Sequence, residues 1–337
     1  MSAITIDGEL VHYEVLGRGR PVVLVHGWIG GWRYWVPAMQ FLQSKFRVYA
    51  LDLFGFGDSG KNPDRYSVEH QIEMLADFTQ SLGLTKTAVV GHGLGALLTA
   101  EFARRYPERV PRLMLVSAPL YDTGDLRQRS PVARKIMQQT ANRNHSDALS
   151  SDAPTILSPG SAMRAALAAY AAQGRVAEQT PAAPTLRRFE APVFNPLAEM
   201  LETTPLDVLL GRCFRRGEPS YDKLSLDVAK TDQRVLHATA STFDAGPMLD
   251  TLWLLTMPTM VLHGATDKVI EPPNEEILRY VTQEKDNLLM PPPIPNIGHF
   301  PMLEDERFPR LVADFLEASD FTGQLVSIKE RWRRRTR

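Results

Sequence analysis

Apolar residues along this chain follow two alternating rhythms. Short unbroken apolar runs, PVVLVHG at 21–27, FRVYALD at 46–52, KTAVVG at 86–91, RLMLVSAP at 112–119 and PTMVLHG at 258–264, have the pattern of strands covered on both faces. Between and after them the spacing predicts helices over Trp32 to Ser44, Ser67 to Leu82 with Ser67 as N-cap, Leu94 to Tyr106, Glu271 to Val281, and Asp305 to Ala318. Ahead of the main pattern, Ile4 to Ile6 and Leu10 to Leu16 flank Asp7-Gly8, a dipeptide that favours a tight hairpin turn. Strand and helix alternating over this many units imply right-handed crossovers and a mostly parallel sheet with helices on both faces.

The alternation breaks between about 120 and 247, where helical pieces, the best of them Ser161 to Ala172, are interrupted by Pro154, Pro159, Pro181, Pro184, Pro192, Pro196 and Pro205. Strand pattern returns only at Met257. The expected organisation is a core of residues 1–118 and 248–320, an inserted lid at 119–247, and a basic tail at 321–337. An insertion at the C-terminal end of a strand sits over the place where open α/β sheets bind ligands.

Composition narrows the picture. The 337 residues are 44% hydrophobic, enough for a large core, with a formal net charge of -1, so no global field draws the protein to nucleic acid or an anionic membrane. The lone Cys213 cannot form an internal disulfide, and MSAITIDGELVHYEV lacks the blocks of a signal peptide, which points to a reducing, cytoplasmic setting. No apolar run approaches 18 residues, so stable membrane insertion is not expected. The terminal KERWRRRTR, with six basic residues and one acid, is read as a solvated end.

The chemistry concentrates in VVGHGLGALL at 89–98: an apolar strand, a sharp turn with glycines at 91 and 95, then a helix. In a G-x-S-x-G nucleophile elbow a serine stands at the tip; here the tip is Gly93. HGW at 26–28, DLFGFGDSG at 52–60, RYPERVPRLMLVSAP at 105–119, GATDKVI at 264–270 and IGHFPMLED at 297–305 follow in a consistent order. Together these motifs, over about 1–118 and 248–318, resemble the α/β-hydrolase superfamily.

The resemblance implies an α/β-hydrolase fold with an inserted helical lid, Asp267 as the acid of a triad, and His299 as its general base. It also implies the backbone N–H groups of Trp28 and Leu94 as oxyanion-hole donors. His26, Gly27, His92 and Phe54 are the candidate substrate contacts beside them. Gly93 matches the nucleophile and offers only hydrogen, so covalent acyl transfer of the serine type is not expected. As stand-ins, Cys213, Ser59, Ser117 and His92 all read better as structural residues, whereas a water activated by His299 remains open. Before IGHF, the segment LLMPPPIPN at 288–296 has three successive prolines. They favour extended backbone, so the loop carrying His299 is expected to be longer or stiffer than the family's. Trp28, Trp32, Tyr34 and Trp35, with Phe54 and Phe56, supply either an apolar pocket or ordinary core.

No Walker loop and no set of His or carboxylates at ligand spacing is present, so neither a cofactor nor a metal is expected. Three functional classes stay open. One is an esterase-like or general-base enzyme that bypasses serine and acts through His299 and Asp267, by water attack or by proton transfer, on a small apolar carbonyl substrate. The second is a noncatalytic pseudoenzyme that binds a small apolar ligand or a protein partner. The third is a serine hydrolase whose elbow residue was replaced by design.

Overall fold

The protein is described here from a computed structural model, over residues 2–121, 196–242, 245–282 and 285–318. The helix expected at Ser161 to Ala172, the prolines from Pro154 to Pro192 and the basic tail lie outside the described residues. Asp7 and Gly8 both take positive φ, 50° and 81°, the turn geometry whose twist matches a hairpin. They join β1 (Ser2–Ile6) and β2 (Glu9–Leu16) in the register Ile6 to Glu9. The five apolar runs become β3 (Arg20–Val25), β4 (Phe46–Leu51), β5 (Ala88–His92), β6 (Leu113–Val116) and β7 (Thr259–Leu262).

With β8 (Leu288–Leu289) these make one eight-stranded sheet in the order β1-β2-β4-β3-β5-β6-β7-β8. The pairs from β3/β4 to β7/β8 are parallel and only the β1 and β2 edge is antiparallel. Val22 to Val25 of β3 and the residues of β5, β6 and β7 are buried, which accounts for their unbroken apolar sequence.

Helices α1 (Val36–Leu42), α2 (Val68–Ser81) and α3 (Leu94–Arg105) connect the first strands. Ser67 caps α2 as expected, accepting from the His70 N–H at 3.2 Å. Trp32–Trp35 form a separate 3-10 turn before α1. Between β6 and β7 lie α4 (Pro196–Thr203), α5 (Leu206–Cys213), α6 (Pro219–Ala229), α7 (Arg234–Thr242) and α8 (Ala245–Leu254). The helix expected from Glu271 starts later, as α9 (Glu275–Thr282). Pro272 and Pro273 precede it, and the Asn274 side chain caps it, accepting from the Ile277 N–H at 2.9 Å. A short helix outside the expected range, α10 (Pro301–Glu304), precedes the last expected helix, which starts later than Asp305, as α11 (Phe308–Glu317). Asp305 makes the break, its carboxylate accepting from the Arg307 N–H and its carbonyl from the Phe308 N–H, both at 2.9 Å. Among the described residues no helix is long and apolar enough to cross a membrane.

Helices α6 and α7 are fastened to the loops that follow β3 and β4. Arg33 reaches the wholly buried Asp227 at 2.6 Å, Lys230 meets Asp58 at 2.7 Å, and Tyr66 donates to Asp232 at 2.9 Å. Trp28 Nε1 donates to Thr239 Oγ1 at 2.9 Å. Burial pushes the Asp227 carboxyl up to about 6 even though Arg33 opposes the shift. The folded chain therefore holds this proton more tightly than the unfolded chain, whose carboxyl titrates near about 4. The group's contribution to stability falls as pH rises from about 4 to about 6 and is level above that. Urea unfolding of the wild type beside Asp227→Asn should show the difference moving in the variant's favour by about 2 kcal/mol between pH 4 and pH 7. Parallel curves would mean that Asp227 titrates alike in both states.

Candidate functional site

The site begins at the turn from β5 into α3. Gly93 takes φ 52° and ψ -112° and gives way to α3 at Leu94, a conformation in which a side chain is strained. The flanking glycines are required by contact. A Cβ on Gly91 would run into the Gly95 carbonyl and the Thr99 hydroxyl, and one on Gly95 into the Val25 carbonyl. Small residues at 91 and 95 thus let helix and strands close up, as the motif implies. At Gly93 there is room: a Cβ would lie 3.4 Å from Gly27 Cα, 3.6 Å from the Trp28 ring and 3.9 Å from His299 Cε1.

His299 and Asp267 meet although 32 residues separate them, with the His299 Nδ1–H donating to Asp267 Oδ2 at 2.9 Å. The other Asp267 oxygen accepts from the N–H groups of Val269 at 2.8 Å and Ile270 at 2.9 Å. Burial works against the ionised carboxylate, but His299 and the two N–H donors outweigh it and hold the Asp267 carboxyl down to about 2. Their loops are joined through the backbone. Ile294 donates to the His263 carbonyl at 2.8 Å, and Ala265 and Thr266 donate to Ile294 and Ile297, each at 2.9 Å.

Prolines 291–293 do cut β8 to two residues, yet this pairing returns the chain, and His299 reaches the elbow. Glu304 brackets the histidine, accepting from Gly298 N–H at 2.6 Å and Phe300 N–H at 2.8 Å. Among the described residues nothing bonds His299 Nε2, which is buried.

The N–H groups of Trp28 and Leu94 find no acceptor among the described residues, and Leu94 begins a helix, whose N-terminal dipole favours negative charge. The other candidate contacts belong to the frame. His26 donates from Nδ1 to the Gly27 carbonyl at 2.7 Å and accepts at Nε2 from the Leu53 N–H at 2.9 Å. Both His92 nitrogens are engaged, by Tyr34 Oη and by the His299 carbonyl, each at 2.8 Å. Neither ring has a nitrogen left for a ligand. Phe54 is buried, its backbone held on both sides by Gln71. Gly27 is the exception, its Cα forming the wall nearest the elbow.

The alternative nucleophiles are structural. Burial holds the Cys213 thiol well above its ordinary range, its Sγ lying 3.5 Å from the Leu209 carbonyl. Ser59 Oγ donates to the Asp52 carbonyl at 2.6 Å and accepts from the His12 N–H at 2.9 Å. Ser117 sits at φ 47° with its Oγ 3.3 Å from the His299 carbonyl. Trp28, Tyr34, Trp35, Phe54 and Phe56 are buried in the core. His12, Asp52 and Asp58 bring ligand-type atoms within 4.8 Å, a gathering that the sequence spacing does not reveal. His12 Nδ1 donates to Asp52 at 2.9 Å, and Asp58 is paired with Lys230 and Arg33.

A family model described as the alpha/beta hydrolase fold matches residues 20–305. The chain belongs to that family. Among curated α/β-hydrolase relatives, bifunctional epoxide hydrolase 2 of Sus scrofa is 36% identical over 118 residues, 33% of this chain and 21% of that protein. The 1-acylglycerol-3-phosphate O-acyltransferase ABHD5 of Homo sapiens is 40% identical over 100 residues, 28% of this chain and 29% of its own. The match thus spans less than a third of either relative. A thermophilic esterase from Thermogutta terrifontis superposes with a TM-score of 0.60 at 22% identity, over 94% of this chain and 98% of its own, a likeness of fold.

Sequence reasoning did not find Glu304, and it took Tyr34 only as an aromatic of pocket or core, not as a hydrogen-bonding partner of His92. The Glu304 spacing within IGHFPMLED could have suggested it; nothing in the sequence links Tyr34 to His92, 58 residues away.

Because the Asp267 carboxyl is depressed in the folded chain, its stabilising contribution is present above about pH 4 and is lost as pH falls toward 2. Wild type should therefore exceed Asp267→Asn by about 2 kcal/mol at pH 5. Chemical denaturation should show this margin narrowing as the solution is acidified toward pH 2; a constant margin would rule out the charge-based account.

Proposed function

We propose that the protein is a hydrolase of small apolar ester-like carbonyl substrates that works without a covalent intermediate, with His299 as general base, Asp267 as its orienting acid and water as the nucleophile. The observation that carries this reading is the His299 ring, tied at Nδ1 to Asp267 and unpaired among the described residues at Nε2, with its Cε1 corner 3.9 Å from the Cβ position of Gly93. In the proposed reaction the substrate carbonyl oxygen accepts from the N–H groups of Trp28 and Leu94. Water adds to the carbonyl carbon while its proton passes to His299 Nε2. The tetrahedral intermediate collapses, the carbon to leaving-oxygen bond breaks, and the imidazolium returns the proton to the departing alkoxide. Products are acid and alcohol, and His299 is restored.

Oxyanion donors and binding alone sustain roughly 10^3 to 10^4 over the uncatalysed rate in hydrolases that have lost a triad member, so turnover is expected to be slow. The esterase likeness and the acyl-transferring relative support a carbonyl substrate, and the buried aromatic surroundings support an apolar one. A second reading, a pocket that binds such a ligand without turning it over, is favoured by glycine at the elbow tip.

Hydrolysis of short and medium-chain p-nitrophenyl esters should be slow in the wild type, without a burst, and at least about tenfold weaker in His299→Ala. Gly93→Ser should gain a burst and fluorophosphonate labelling while losing about 1–3 kcal/mol of stability to the positive φ at the turn. A wild-type rate unaffected by His299→Ala would overturn the proposal. Wild-type silence beside an active serine variant would establish the binding reading instead.

A further inference from the structure

Four groups that no catalytic step uses form a continuous hydrogen-bonded line beneath the elbow. The Gly27 N–H lies 2.7 Å from Tyr34 Oη, Tyr34 Oη lies 2.8 Å from His92 Nδ1, and His92 Nε2 lies 2.8 Å from the His299 carbonyl. Elementary accounting fixes each direction. A carbonyl can only accept, so His92 Nε2 carries the proton and donates. Burial, followed by the neighbouring His299, holds His92 well below the ordinary histidine range, so the ring is neutral and its Nδ1 is bare. A bare Nδ1 must accept, so the Tyr34 O–H donates to it, and the oxygen of the same hydroxyl accepts from the Gly27 N–H. Tyr34 and His92 are buried, and each polar atom in the line has a partner.

We propose that Tyr34 and His92 are positioning residues that lock the oxyanion-donor loop and the general-base loop into one unit. One end of the line holds the His26–Gly27 peptide, one peptide ahead of the Trp28 N–H, and the other holds the backbone of His299. A carbonyl carbon under attack must meet the Trp28 N–H and the water held by His299 together, so an error in the distance between the two loops weakens both interactions. The fixed tautomer has a second effect. The His92 and His299 ring centroids are 4.5 Å apart, and a charge on His92 would oppose the imidazolium that forms on His299 during turnover. Tyr34, by donating to Nδ1, occupies the site where that extra proton would go.

The catalytic part of this proposal rests on the hydrolase reading, so its test includes measurements independent of turnover. Nitrogen NMR of the wild type labelled with 15N-histidine should show His92 protonated at Nε2 and bare at Nδ1 from pH 5 to pH 9. A protonated Nδ1, or titration in that range, would overturn the relay. Tyr34→Phe removes one oxygen; it should speed amide exchange at Gly27 at least about fivefold and shift the ring nitrogens of His299. An unmoved His299 signal would mean that the two loops are independent.

In ester cleavage, Tyr34→Phe and His92→Phe should lower kcat about tenfold with KM nearly unchanged. His92→Gln, which keeps an N–H for the His299 carbonyl, should recover part of the loss, and equal losses in both His92 variants would argue for packing alone. If the wild type cleaves no ester, the hydrolase reading fails, while tautomer and exchange still decide the relay.

Discussion

Everything at this site depends on a chain reversal made at one residue. Between β5 and α3 the backbone must turn within Gly93, at φ 52°, and the strand and helix on either side are so close that neither Gly91 nor Gly95 tolerates a Cβ. That contact presses the first turn of α3 against the end of β3, where the Val25 carbonyl meets Gly95. The N–H of Leu94 and the loop bearing Trp28 are brought to the same place by one steric condition. Sequence, packing and site geometry are linked here by atoms too few to be varied independently.

The proposed acid and base arrive by a separate route. Asp267 and His299 sit on loops after β7 and β8 whose backbones bond each other at residues 263–266 and 294–297, and Glu304 fixes the peptides on both sides of the histidine. The three prolines shorten the edge strand without moving the histidine, because the pairing is made after they have passed. Asp52 does comparable work beside the loop that carries Trp28. It is buried and accepts from His12, from the N–H of Trp32 at 3.0 Å and from the N–H of Asp58 at 3.1 Å, joining the second strand to two loops.

Much of this architecture was legible in the sequence. Runs such as VVLV and TMVL, short and rich in β-branched residues, read as strands covered on two faces, and Asp7-Gly8 reads as a hairpin turn. The motifs around residues 28, 93, 267 and 299 could be assigned to loops because each has a local backbone requirement written into neighbouring glycines and prolines. What failed was of two kinds. Helix starts were misplaced at Glu271 and Asp305, where Pro272-Pro273 and the Asp305 turn interrupt an otherwise helical spacing. Polar partners far apart in sequence, Tyr34 with His92 and Arg33 with Asp227 at a separation of 194, leave no periodic trace, since each is specified only by the finished packing. His26 and His92 looked like ligand contacts for the same reason: a lone sequence does not say that both nitrogens of a ring are already engaged.

The acid and base loops pair with each other through the backbone and meet the elbow through His92 and the His299 carbonyl, none of which involves a side chain at residue 93, so the site separates into a fixed frame and one exchangeable position. Residue 93 contributes no hydrogen bond from a side chain to the frame, and the space for its first carbon is bounded by contacts of 3.4 Å or more. Changing that residue alters what stands at the tip without altering the bonds that hold the His299 imidazole or the places of the Trp28 and Leu94 N–H groups. Serine, cysteine and aspartate placed there would meet the same histidine and the same two N–H donors under the same backbone constraint, so their chemistries could be compared on one scaffold with the surroundings held constant.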